Sequence, residues 1–205
     1  MTAGPEPALD RLATSVVGRA AVQLGVATTA AERDDAFRLR YEVAVAEGWR
    51  SQAELPDGRE LDEFDARAVV VLAREPGGGQ AVGTRGRAVG TTRLVPPGPG
   101  RLPTELACDL VVEPRGQVAD VGRIAVAPSH RDHRQRVLLP LLAFTYLQLR
   151  GLGLAVACGM MTPGLRALIR LLGFPVEVLG PDRPYWHELR APVRFEAGRA
   201  AALLP

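Results

Sequence analysis

The 205-residue chain has no run of about 18 apolar residues, so no segment reads as a membrane span. Its first residues, MTAGPEPALDRLA, lack the basic patch and apolar core of a secretory leader. Both absences point to the cytoplasm. Cysteine is scarce. Cys108 and Cys158 lie far apart in apolar surroundings, which fits two buried free thiols rather than a disulfide framework. Neither has an evident histidine partner, so a thiol nucleophile is not expected. His130 and His133 stand three apart with no third ligand near them, and no metal site is expected. His187, beside Trp186, reads as surface or packing. GxGxxG and P-loop patterns are absent, which leaves no nucleotide site to expect. The net charge is only +2 and the basic charge is arginine, whose planar fork suits carboxylates and phosphates. A short basic stretch at 129–136 lacks interleaved aromatics and does not read as a nucleic-acid surface.

What is present is ordinary for a soluble globule: 47% hydrophobic and 23% charged residues. The length fits one domain, 1–205, able to bury roughly 70% of its unfolded surface without metal or disulfide. Residues 1–21 read as an N-terminal extension with a short amphipathic helix at 9–20. VQLGVATT (22–29) reads as a strand. Thr29 and Glu32 then form a capping box for a helix over 30–47 that ends at Gly48. Strands are expected at 68–75, 82–96, 119–128 and 152–160, with late strands at 175–180 and 193–198. Helices are expected at 133–150, with Pro140 near its first turns, and at 162–174, capped by Thr162. PPGPGRLP (96–103) cannot be regular structure. An antiparallel front half followed by βαβ units gives an α+β (α/β three-layer) domain with a mixed sheet covered by helices.

The informative charges lie on or beside strands. GRELDEFDARAVVVLA, residues 58–73, sets Glu60, Asp62 and Asp65 just before a valine-rich run. Arg93 ends the strand GTTRL, Asp120 and Arg123 sit in DVGRIAV, and Arg40 lies mid-helix beside the apolar stripe. Positions three apart in a strand face opposite sides, so Asp120 and Arg123 diverge unless Gly122 marks a bulge. Buried charges must pair. Four acids and three guanidiniums from distant segments can satisfy one another in one cleft. A purely structural network and an active-site network both fit that pattern.

In this order, FRLRYEVAVAEGW, ELDEFD, GTTRL and DVGRIAV resemble the signature of acyl-homoserine lactone synthases and the related N-acyl amino acid synthases. Both are acyl-carrier-protein-dependent members of the GNAT acyltransferase superfamily. The resemblance runs over about residues 22–195 and is carried by Arg40, Trp49, Glu60, Asp62, Asp65, Arg93, Asp120 and Arg123. It implies a GNAT-like, mostly antiparallel twisted sheet flanked by helices. It also implies transfer of a fatty or polyketide-derived acyl group from a carrier-protein thioester to an amino acid or peptide amine, by direct attack. Under it, Arg40, Arg93 or Arg123 would take the acceptor's carboxylate, and Glu60, Asp62 and Asp65 would fix those arginines and the loop around Trp49. Asp120 would be general base or ammonium-binding group, and backbone N–H groups of Ala125, Val126 and Ala127 would hold the oxyanion. The amine needs only a weak base, since a free α-amine has a pKa of roughly 7.7–8.0. Met160 and Phe174, with Leu141, Leu142, Phe144 and Met161, would line an acyl slot; ordinary core is the alternative.

Two departures matter. Asp120 replaces the family's usual glutamate. After IAVAP, CoA-using relatives carry Arg/Gln-x-x-Gly-x-Gly/Ala, whose backbone cradles pyrophosphate. Here the chain reads SHRDHRQRVLLP (129–140), with Arg134 and Arg136 at the glycine positions if Arg131 opens the motif. This disfavours CoA and favours a phosphopantetheine arm on an acidic carrier protein, with Arg131, Arg134 and Arg136 as docking patch, Arg166 and Arg170 beside it. No permanently bound cofactor is expected. The alternatives are an acyl-CoA donor, lactone synthesis from S-adenosylmethionine, and a non-catalytic acyl- or carrier-binding module.

Overall fold

Thr29 and Glu32 close the expected capping box and start the longest helix of the structure. The computed structural model describes residues 8–77, 86–132 and 135–196. Its helices are α1 (Ala8–Gly18), α2 (Ala30–Ala46), α3 (Pro103–Cys108), α4 (Leu138–Gly151) and α5 (Pro163–Leu171). Its strands are β1 (Gln23–Val26), β2 (Val69–Arg74), β3 (Ala88–Val95), β4 (Val118–Val126), β5 (Val156–Met161), β6 (Val176–Val178), β7 (Arg183–Tyr185) and β8 (Glu188–Glu196).

The strands form one mixed sheet in the order β1-β2-β3-β4-β5-β8-β6, with β7 paired to β8 as a hairpin. Every described pairing is antiparallel except β4 with β5. Alternate strand residues serve two cores. Leu94, Ala119 and Ala157 pack with Leu9, Tyr146 and Ile169 from α1, α4 and α5. Val95, Val118 and Cys158 pack on the other face with Ala36 of α2 and Leu102 at the start of α3. The result is the expected three-layer α+β architecture.

Several boundaries move. The strand expected at 152–160 begins only at Val156, because Gly153 turns the chain with φ 73°. The helix expected from 133 begins at Leu138, which makes Pro140 its third residue, where a missing N–H costs nothing. The last strand starts at Glu188 rather than 193. Residues 82–85 of one expected strand, 133–134, and the end of the last one lie outside the described residues. The short helix α3 and strand β7 were not expected at all.

Two features of β4 shape the site. It pairs with β5 only from Val118↔Val156 to Asp120↔Cys158, and then the two strands part. At the fork β5 carries Gly159, where a Cβ would lie 2.5 Å from the Val121 carbonyl oxygen. Farther along, Gly122 pairs with Arg93 and Ala125 with Thr91, so Arg123 and Ile124 together oppose Thr92. Gly122 keeps regular pairing. Its neighbour Arg123 carries the bulge, with φ 53°.

Candidate active site

The bulge turns Arg123 to the side of the sheet where Arg93 points, and the two guanidiniums share Asp62. Arg123 Nη2 lies 2.7 Å from Asp62 Oδ2, and Arg93 Nη1 donates to Asp62 Oδ1. Arg93 Nη1 also lies 3.1 Å from Asp65 Oδ2, and Asp65 Oδ1 lies 2.8 Å from Arg40 Nη2. Arg40 Nε is 3.4 Å from Glu60 Oε2, and Glu60 Oε1 accepts from Arg123 Nε at 2.9 Å. The six side chains thus close a ring of alternating charge: Arg40, Asp65, Arg93, Asp62, Arg123, Glu60. The acids come from the segment between α2 and β2. Asp62 also accepts from the backbone N–H of Phe64, and Asp65 from that of Asp62, so a 3-10 turn at Glu63–Arg67 fixes both.

Four members are deeply buried, with Arg93 1% exposed and Arg40, Glu60 and Asp65 each 3% exposed, while Asp62 and Arg123 are partly buried. Isolated charges so placed would cost several kcal/mol each, and mutual neutralisation removes most of that cost. Burial pulls the Arg40 guanidinium down to about 10, against the opposing pull of Glu60 and Asp65. Burial also opposes the charge on Asp62 and Arg123. For Asp62 the cations Arg93 and Arg123 outweigh it and hold the carboxyl below its usual range. For Arg123 the acids Glu60 and Asp62 and the Tyr185 hydroxyl outweigh it, and the guanidinium holds its proton more firmly.

The ring is not fully satisfied. Arg40 Nη1 and Glu60 Oε2 make no hydrogen bond among the described residues. Both residues line a small pocket of about 30 Å³ whose other walls include Trp49, Arg123, Trp186 and Arg190. The aromatic walls are held by cations: Arg123 lies 4.1 Å from the Trp186 ring centre, and Arg190 lies 4.9 Å from that of Trp49. Tyr185 stacks on Trp186 with an interplanar angle of 4°. Trp186 and His187 form the β7–β8 turn with φ of 53° and 59°. Of these wall residues, only Trp49 and the ring members were anticipated.

Asp120 stands outside the ring. Its Oδ2 accepts the Thr104 N–H at the start of α3 at 2.7 Å and lies 3.6 Å from the Cys158 thiol. Burial pushes its carboxyl up, and it forms no ion pair among the described residues. An acid anchoring α3 does not fit the role of base for an incoming amine, whereas Glu60 lines the pocket. The expected oxyanion donors also separate. The Ala127 N–H donates to Val89 O at 2.9 Å and is committed to β3. Backbone alternation turns the Val126 N–H the other way, toward the fork. The Val126 carbonyl, on that open side, accepts from Arg131 Nε at 2.9 Å.

Beside the start of α4, a cleft of about 240 Å³ is lined by Ile124, Ala125, Val126, His130, Arg131 and Gln135 among others. The arginines expected as a docking patch are largely engaged: Arg131 pairs with Glu47, Arg136 with Asp132 and Arg166 with Asp182. Arg134 lies outside the described residues. On the opposite face of the sheet, an apolar cavity of about 130 Å³ lies among α1, α4, α5 and the sheet. Leu142, Met161 and Phe174, named above for an acyl slot, are among its lining. Leu141 and Phe144 pack into the core between α4 and the sheet instead. Met160 faces away from the cavity, its Sδ 3.4 Å from Cys108 Sγ, because consecutive β5 residues alternate faces. Ile124, unremarked in the sequence, lines the cavity, the cleft and the pocket alike.

A profile of the GNAT acetyltransferase domain matches residues 39–140, from mid-α2 through the ring and β4 into α4. The chain carries a GNAT domain. Solved GNAT-fold structures extend the likeness beyond that span. The CoA-dependent acyl-homoserine lactone synthase BjaI, with SAM and isopentyl-CoA, is 22% identical over 89% of this chain and 85% of its own, with a TM-score of 0.64. A second CoA-dependent acyl-homoserine lactone synthase, MesI, is 25% identical over 81% and 82%, with a TM-score of 0.61. FeeM, an N-acyl amino acid synthase from uncultured soil microbes, is 16% identical over 89% and 94%, with a TM-score of 0.63. No curated protein sequence matches the chain. The GNAT acetyltransferase domain makes the chain an N-acyltransferase. Among the described residues of this GNAT protein, no helix is long and apolar enough to cross a membrane.

Proposed function

We propose that this GNAT protein transfers a fatty or polyketide-derived acyl group from a phosphopantetheine thioester on a carrier protein to the amine of an amino acid or peptide. One observation carries the reading: the apolar cavity, the cleft beside α4 and the charged pocket all meet at Ile124. An acyl chain, a donor arm and a polar acceptor need three such spaces around one reacting carbon. The cavity takes the chain, the cleft takes the arm, and the pocket takes the acceptor from the opposite face of the sheet. Glu60 Oε2 binds the acceptor's ammonium or receives its proton, and Arg40 Nη1 faces the acceptor's anionic group. The neutral amine attacks the thioester carbon, and the Val126 N–H is aimed at the oxyanion. The C–N bond forms, the C–S bond breaks, and the amine's proton leaves with the thiolate. No acyl-enzyme is required, and Cys158 is unsuited to form one because burial pushes its thiol far up.

A second reading, an acyl-CoA donor, is favoured by the pairing of Arg131 and Arg136 with Glu47 and Asp132, which leaves less free charge for a carrier protein. The test offers acyl-carrier protein and acyl-CoA of the same chain separately, with a panel of amino acid and peptide amines, and identifies products by mass spectrometry. Product from the carrier alone supports the first reading, and product from CoA alone replaces it with the second. A lactone formed from S-adenosylmethionine would move the protein to the lactone synthases. No N-acyl product from either donor would sink the enzymatic reading and leave a binding module.

A further inference from the structure

The apolar cavity has a wall that belongs to neither the sheet nor the long helices. Leu9, Leu12, Ala13 and Val16 of α1 line it, at the i, i+3, i+4 and i+7 spacing of one helical stripe. Leu9 and Ala13 are 3% and 5% exposed, whereas Leu12 is 43% exposed at the rim. On the flank of the same helix, Asp10 accepts a hydrogen bond from the Tyr146 hydroxyl of α4 and lies 3.7 Å from Arg150 Nε. That clasp fixes how far α1 stands from α4, and therefore how wide the cavity is. The opposite side of the cavity is Val121 and Ile124 of β4, beside the fork.

We propose that α1 is the acyl-length gauge of this enzyme, with Ala13 and Val16 setting the longest chain that fits. The proposal rests on the reading that the cavity holds the acyl chain. Ala13 is the smallest residue of the stripe and is itself buried, so a larger side chain there takes space directly from the chain. Val16 acts in the opposite sense when shortened. Protein interiors are packed closely enough that a few methylene groups decide occupancy.

The test uses the full chain and the fluorescent fatty acid parinaric acid, displaced by octanoic, dodecanoic and hexadecanoic acids. Wild type is expected to bind the probe. Ala13→Phe is expected to weaken hexadecanoate displacement at least ten-fold while changing octanoate less than three-fold, and Val16→Ala to strengthen hexadecanoate several-fold. If wild type binds no fatty acid of any length, the cavity is not an acyl site and the parent reading fails with the gauge. If it binds them but Ala13→Phe shifts all lengths equally or none, α1 is only a wall and the gauge is overturned. Should Ala13→Phe fail to fold, Val16→Ala decides alone, and an unchanged length profile for it overturns the gauge.

Discussion

Arg123 and Trp186 meet guanidinium to indole at 4.1 Å, and each holds its backbone at φ 53°. One left-handed residue lies in the β4 bulge and the other in the β7–β8 turn, and both are positions where a side chain is sterically disfavoured. The contact joins a ring member to the aromatic wall of the small pocket proposed for the acceptor.

Truncating the wall is expected to injure acceptor binding more than folding. Trp186→Ala should raise KM for the acceptor amine five- to ten-fold, leave KM for the thioester within two-fold, and leave the ring intact. Steady-state kinetics with each substrate varied in turn checks this, and an equal rise in both constants would contradict it.

His187 is exposed and bears the same backbone strain without lining the pocket. His187→Gly should relieve about 1 kcal/mol, partly offset by the entropy of the added glycine. The melting temperature is expected to rise by up to about 2–4 °C, with activity unchanged within two-fold.

Removing one member of the ring leaves an unpaired buried charge. Asp65→Ala should cost about 3–5 kcal/mol by urea denaturation, since both Arg40 and Arg93 lose a partner. A double-mutant cycle with Arg40→Met should recover part of that loss. A cost below about 1 kcal/mol would mean that the ring is not stabilised by pairing.

The two aspartates of opposite shift separate the pH limbs. Asp62 is lowered in the fold, so its contribution is complete above the ordinary carboxylate pKa of roughly 3.9 and is lost as pH falls through the lower folded value. Asp120 is raised, so the folded protein keeps a proton the unfolded chain gives up, and stability declines as pH rises above that ordinary value. Asp120→Asn keeps an oxygen for the Thr104 N–H. It should melt at or above wild type at pH 8, lose that advantage toward pH 4, and retain activity. A hundred-fold loss of activity in a folded Asp120→Asn protein would return Asp120 to the chemistry.

The ring was legible because its members interrupt apolar surroundings: Arg93 ends a valine- and threonine-rich strand, and the acids crowd the entrance to another. Pairing was the only physical outlet for such charges. Asp120 misled for the same reason, since its outlet is a backbone N–H of α3, a six-residue helix in a stretch where prolines and glycines argued against structure. The Trp186 wall was illegible because PYWHEL holds no glycine or asparagine to signal a left-handed turn. Gly122 drew attention to the bulge, yet Arg123 bears it, because ion pairs to Glu60 and Asp62 hold the backbone there.

A ring closed on itself has a consequence for how the chain assembles. Its members span residues 40 to 123 and arrive from two strands, one helix and a loop, so any intermediate that docks five of them must bury the sixth partner's charge unanswered. Half-built versions of this region are therefore penalised by several kcal/mol and should be rare. Such a molecule has little room to be folded and wrongly wired at the same time, and purifying selection on turnover would also police its folding.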